Sequence, residues 1–106
     1  MFSNRSRLQI IYDILATIKQ YNPGAPLAHI IHKSNLNSSI LKIYLDYLME
    51  NDLIRPKTMG KKTVYDITDK GKEFLRTYRN MVAVLDASPI SKRIRLSYPS
   101  QHAQSL

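Results

Sequence analysis

His29 and His32 stand three residues apart in a segment of helical pattern, a spacing that can put two imidazoles on one face. A structural zinc site needs four donors and a catalytic one three plus water. The chain contains no cysteine, and no carboxylate sits beside the pair at ligand spacing. The two read as surface histidines, and no metal site is expected. Other chemistry is equally unsupported. No glycine-rich phosphate loop, paired carboxylates or Ser/His/Asp arrangement is present, so no residue is a candidate for catalysis and no cofactor is implied. The chain does not read as an enzyme.

What it carries instead is positive charge: sixteen Lys and Arg oppose eight Asp and Glu, a net +8 over 106 residues. Such an excess points to a polyanionic partner, either nucleic acid or an anionic membrane surface. The charge is unevenly spread. Residues 22–52 sum to −1, whereas residues 53–68 set Arg55, Lys57, Lys61 and Lys62 against Asp66 for +3, and the tail from Ser88 adds +3 through Lys92, Arg93 and Arg95. No apolar run approaches the ~18–20 residues that cross a bilayer. Residues 90–98 also lack the long amphipathic stripe of a membrane-surface helix. The opening residues have no apolar stretch of the secretory kind, and with no cysteine a cytoplasmic protein is expected, nucleoid-associated if its polyanion is DNA.

The elements that would position these cations can be read from periodicity. Ser6 can cap a helix over 7–21, whose Leu8, Ile11, Ile14, Leu15 and Ile18 make one apolar stripe that Asn22-Pro23-Gly24 ends. Pro26 suits the first turn of a short helix over 26–33 with Leu27, Ile30 and Ile31 inward. A turn, Ser34-Asn35-Leu36-Asn37, leads to a third helix over 38–51, capped by Asn37 or Ser38, with Leu41, Tyr44, Leu45 and Leu48 on its buried face. From Leu53 the pattern alternates. A strand over 53–58, held to an edge or bulge by Pro56, and a returning strand over 63–68, with Tyr65 and Ile67 inward, flank the loop Met59-Gly60-Lys61-Lys62. A last helix, over 69–87 and capped by Thr68 or Asp69, repeats Phe74, Tyr78, Met81 and Leu85 at spacings of four, three and four, with Leu75 and Val82 beside them. That seam, about two heptads long, suits pairing with a second copy or packing on the first helix. The tail over 88–106 keeps no pattern and is expected to be disordered.

Two helices joined by a turn of about four residues make a helix-turn-helix, whose second helix enters the major groove with its N-terminal half against the base edges. Here that half offers Asn37, Ser38, Ser39, Lys42 and Ile43: hydroxyls and amide for bases or phosphates, a lysine for phosphate or guanine, and a branched apolar group for a thymine methyl. Asp46 and Glu50 sit toward the far end of the helix. Lys61 and Lys62 at the hairpin tip suit backbone or minor-groove contact. Arg5 and Arg7 oppose the dipole of the first helix, which suggests an outside anion. The bland reading of all these residues is a solvated face, with Asn37 and Ser38 serving only as caps.

The segment Tyr65-Asp66-Ile67-Thr68-Asp69-Lys70-Gly71-Lys72-Glu73-Phe74-Leu75 resembles the strand-to-helix signature of winged-helix proteins, Tyr-x-Ile-Thr followed by x-x-Gly-x-x-Phe-Leu. The stretch from Leu45 to Ile54 and the opening from Arg5 to Leu15 are similar to the same regions of small archaeal winged-helix proteins. The resemblance covers about residues 5–86, and the group it indicates contains chromatin proteins and transcription regulators that pair through the helix after the wing. It implies an α+β, mostly α fold, a winged helix-turn-helix with three helices and a β-hairpin wing over 5–68, then a dimerisation helix over 69–87. Double-stranded DNA is the expected partner of a homodimer paired through Phe74, Tyr78, Met81 and Leu85. The alternative is a winged-helix module that binds proteins through the face of Ser39, Lys42 and Ile43, since fold does not fix function.

Overall fold

The computed structural model describes residues 5–21 and 23–86. The basic tail lies outside them. Helix α1, Arg7–Gln20, starts where the Ser6 hydroxyl accepts the Gln9 N–H at 3.1 Å. It buries Ile10, Ile11, Ile14, Leu15 and Ile18. Leu8 departs from the expected stripe and is 50% exposed. It stands two residues before the buried Ile10 and faces a groove along the third helix.

The two residues after Gly24 form a strand that the sequence pattern did not announce: β1, Ala25–Pro26. Two residues are too few to show a period, and only the pairing partner reveals them. Pro26 thereby becomes the N-cap of α2, Leu27–Ser34, instead of lying inside its first turn. Ile30 is fully buried on this helix, whereas Leu27 is exposed, contrary to expectation, because it starts the helix at the surface. Asn35 closes α2 in the left-handed region at φ 59°, a conformation that Asn tolerates better than most residues.

Helix α3, Ser38–Glu50, is capped by Asn37, whose Oδ1 accepts the Ile40 N–H at 2.9 Å. Leu41, Leu45 and Leu48 are its buried face. It ends in a Schellman arrangement: Asp52 turns left-handed at φ 60°, its N–H donates to the Met49 carbonyl at 3.0 Å, and the Leu53 N–H donates to Leu48 at 2.9 Å.

Strands β2, Ile54–Met59, and β3, Lys62–Ile67, form the wing, and the sheet order is β1-β3-β2, all antiparallel. Strand β2 is therefore an edge, which is where Pro56 can sit without breaking a ladder on both sides. Met59 pairs with Lys62, leaving Gly60 and Lys61 as a two-residue turn. Only Gly60 of the two has a positive φ, +65°, the pattern of a type II′ hairpin turn. The loop is thus tighter than the four residues expected.

Helix α4, Asp69–Asp86, runs from a clamp at the base of the wing. The Thr68 Oγ1 accepts the Gly71 N–H at 3.0 Å and donates to the Asp52 carbonyl at 2.7 Å, while the Thr68 N–H reaches the Leu53 carbonyl at 3.1 Å. Gly71 is required there. A Cβ at its position would lie 2.3 Å from the Leu53 carbonyl oxygen and 2.6 Å from Ile67 Cγ1. The Thr-x-x-Gly element therefore reports the close approach of α4 to the end of α3. Leu75, 2% exposed, joins the buried cluster, and Phe74 packs against it. The first half of α4 thus completes the core that α1, α2 and α3 begin.

Candidate nucleic-acid interface

The outward surface of α3 has two unlike flanks. Ser39, Lys42 and Asp46 follow one another at three- and four-residue spacing, all exposed, with Ser38 at the helix start. Beside them Ile40, Ile43, Tyr44 and Tyr47 line a groove with Arg7, Leu8 and Ile11 of α1. Ile43 is 64% exposed and Tyr47 50%. The expected contact face is therefore not uniform: Lys42 and the serines belong to its polar flank and Ile43 to its apolar one. Sequence reasoning passed over Ile40 and Tyr47. Their signal was present as an apolar recurrence at 40, 43 or 44, and 47, running beside the buried Leu41, Leu45 and Leu48.

Asn37 occupies the start of this surface, with its side-chain oxygen engaged by the Ile40 N–H. The residue is exposed, and the cap uses only that oxygen, which leaves the amide nitrogen as a donor. Arg5 and Arg7 do not act alike. Arg5 Nη1 pairs with Asp13 Oδ2 and its Nη2 donates to the Ser34 carbonyl at 2.7 Å. A guanidinium at the C-terminal end of α2 is favourable both as a hydrogen-bond donor and against the helix dipole. Its position at the start of α1 thus answers an internal acid and carbonyl. Arg7 is exposed on the rim of the α1/α3 groove.

The wing sorts its four cations in the same manner. Arg55 Nε lies 3.5 Å from Asp52 Oδ1, and Lys57 Nζ lies 2.9 Å from Asp66 Oδ2. Lys61 and Lys62, at the tip, are exposed and make no salt bridge among the described residues. The tip thus keeps its charge while the base neutralises its own. His29 stacks on Tyr21, ring centroids 4.7 Å apart and planes 7° apart, and His32 is exposed.

Three helices, a capped turn between the second and third, a hairpin beside the third and a fourth helix closing the core agree with one family. A winged helix-turn-helix model matches residues 4–86. The chain belongs to the winged helix-turn-helix family. An uncharacterised protein of Methanocaldococcus jannaschii is 35% identical over 71 residues, 67% of this chain and 31% of the relative, so the chain spans under a third of that protein's length. Among solved structures it is similar to Sso10a-2, a DNA-binding protein from Sulfolobus solfataricus, with a TM-score of 0.71 and 24% identity over 88% of this chain and 94% of that one. A MarR-family transcriptional regulator from Silicibacter pomeroyi gives a TM-score of 0.59 at 20% identity, covering 83% and 64%. The sequence resemblance to archaeal winged-helix proteins is borne out, and so is the fold class.

In this winged helix-turn-helix the seam of α4 divides in two. Tyr78 stacks on Tyr12 of α1, centroids 4.7 Å apart, with Phe74 6.2 Å away. Beyond that pair Met81 is 47%, Leu85 59% and Val84 71% exposed. Phe74 and Tyr78 thus serve the chain's own core side, and only Met81 and Leu85 of the expected pairing residues stand uncovered. Among the described residues, no helix is long and apolar enough to cross a membrane.

Proposed function

We propose that this winged helix-turn-helix protein binds double-stranded DNA, with α3 in the major groove and the wing tip on the adjoining backbone. The observation that carries this reading is the segregation of charge within the helix-turn-helix and its wing. Arg5, Arg55 and Lys57 are matched to internal acids, while Lys42, Lys61 and Lys62 are exposed without one among the described residues. Ser38, Ser39 and Lys42 would meet base edges and phosphates from the N-terminal half of α3, Asn37 would offer its amide nitrogen, and Arg7 would reach a phosphate beside them. Arg5 would position the helix-turn-helix and leave the DNA to the others. One lysine and no arginine on the groove-facing surface favour weak base discrimination. A transcription regulator of loose specificity or a small chromatin-type protein fits that balance. Sso10a-2 is a DNA-binding protein and the MarR-family relative a transcriptional regulator, which supports the same class.

The protein would act as a homodimer, with the uncovered Met81, Val84 and Leu85 of α4 meeting those of a second copy. An apolar patch of this kind near the end of a helix favours association. The second reading, a protein-binding module, is favoured by the apolar flank of α3, where Ile40, Ile43 and Tyr47 are exposed beside Leu8. A salt-titrated binding assay with random and selected duplexes tests the two. Phosphate contact gives log K falling linearly with log salt. A chain with no affinity for either duplex at low salt would belong to the second reading.

A further inference from the structure

A second concentration of positive charge lies toward the C-terminal end of α1, where it meets the first half of α4. Helix α4 runs antiparallel to α1: Lys72 shares a cleft with Lys19, whereas Leu75 and Arg79 share another with Tyr12, Ala16 and Lys19. Lys72, Arg76 and Arg79 follow one another at four and three residues, so they form one exposed stripe along α4, and Lys19 of α1 stands against it. Lys57 of the wing base also opens onto the first cleft, where Asp66, its salt-bridge partner, is the acid present.

Like charges at these helical spacings oppose folding, as does a lysine close to the positive end of a helix. Asp69 and Glu73, three residues before Lys72 and Arg76, offset part of this, but among the described residues none of Lys19, Lys72, Arg76 and Arg79 makes a salt bridge. Two elements have thus been brought together with four exposed cations that make no salt bridge among the described residues. No residue of α3 or of the wing tip lines either cleft. Lys19 also stands twelve residues beyond Arg7 on α1, about 18 Å along the axis at 1.5 Å per residue.

We infer that Lys19, Lys72, Arg76 and Arg79 form a second DNA-backbone surface, which takes a duplex segment other than the one on α3 and the wing. The inference rests on the DNA-binding reading above and extends it. The stripe is dominated by charge, with Gln20 and Asn80 the exposed amides beside it, so it grips phosphates more than it reads bases. A protomer then holds two DNA segments at once.

The test is stoichiometry. Titrate the full chain at low salt with a duplex of about 12 base pairs, roughly one helical turn and, far below the persistence length of about 150 base pairs, too stiff to wrap from one surface to the other. Sedimentation or calorimetry should count two duplexes per protomer, and one for the variant carrying Lys19→Gln, Lys72→Gln, Arg76→Gln and Arg79→Gln. The affinity for the duplex that remains should change by less than about twofold, because the two surfaces are separate. All four positions are exposed, so the variant should melt close to the temperature of the parent. A conservative variant, Lys19→Arg with Lys72→Arg, should keep two. One duplex per protomer in the parent overturns the second surface and leaves DNA binding by α3 intact. Two duplexes in the glutamine variant also overturn it. No duplex bound by parent or variant defeats the proposed function together with this inference.

Discussion

The phenol ring of Tyr12 lies on that of Tyr78, centroids 4.7 Å apart and planes inclined by 27°. The stack fastens the middle of α4 to α1, and it divides an apolar stripe that is continuous in sequence into an inner and an outer half. Tyr78→Ala should therefore lower the unfolding free energy by about 2 kcal/mol, through reduced burial and removal of the stacked pair. Met81→Glu with Leu85→Glu should leave the stability of each chain nearly unchanged and give monomers, since charge in an apolar contact costs several kcal/mol. Denaturant titration and light scattering read the two effects separately. A parent protein already monomeric at tens of micromolar would end the pairing proposal.

The wing tip can be tested without knowing a target. Replacing Lys61 and Lys62 with alanine should reduce the slope of log K against log salt by roughly two units per protomer, about 0.9 for each phosphate that a lysine no longer neutralises. The weakening should be similar for every duplex. Arg55→Ala should change the slope much less, because its guanidinium is set against Asp52. Weakening confined to particular sequences would mean that the wing reads a groove.

Lys42 and Lys33 are both exposed, on α3 and at the end of α2 respectively. Lys42→Glu should weaken DNA binding more than Lys33→Glu, because a reversed charge at the groove wall repels phosphates within a Debye length of about 8–10 Å. Equal and negligible effects would favour protein recognition by this surface.

Arg5 and Arg7 separate structure from contact. Arg5→Ala should cost about 1–3 kcal/mol of folding stability, since the Asp13 carboxylate and Ser34 carbonyl are each deprived of a charged donor. It should leave the salt slope of the folded protein unchanged. Arg7→Ala should do the reverse, lowering the slope by about one unit while the melting temperature holds. An altered slope for Arg5→Ala would return that residue to the interface.

Gly71→Ala should destabilise the protein by about 1–3 kcal/mol, the usual cost of forcing a methyl group into packed atoms. Here the obstacle is the Leu53 carbonyl at 2.3 Å, which is backbone and cannot rotate away. Gly60→Ala should cost about 1 kcal/mol for a different reason: space is open around it, but its φ of +65° suits glycine. Denaturation midpoints that fall at equal m-values would show lost stability with the surface exposed on unfolding unchanged. A Gly71→Ala protein as stable as the parent would remove the close approach as the reason for that glycine.

The order of helices, the hairpin, the caps Ser6, Asn37 and Thr68, and most of the inward leucines and isoleucines, though not the exposed Leu8 and Leu27, were legible in the sequence, because each is set by residues within a turn or two of one another. Capping needs one side chain and an N–H three residues on, and burial repeats with the period of its own helix. The family signature was legible for a similar reason, since Thr68 and Gly71 mark one tight joint. Strand β1 was not, because two residues have no period and exist as a strand only through Tyr65 and Val64, some forty residues away. The fate of each charge was equally hidden. Arg5 meets Asp13 and Ser34, and Lys57 meets Asp66, only when the chain has folded. An isolated lysine therefore reads the same in sequence whether it is matched or not. Tertiary structure decided which cations are matched inside the molecule, that Phe74 and Tyr78 face their own α1, and that Lys19 comes to rest against Lys72 and Arg79, because through-space contact carries no trace in local spacing.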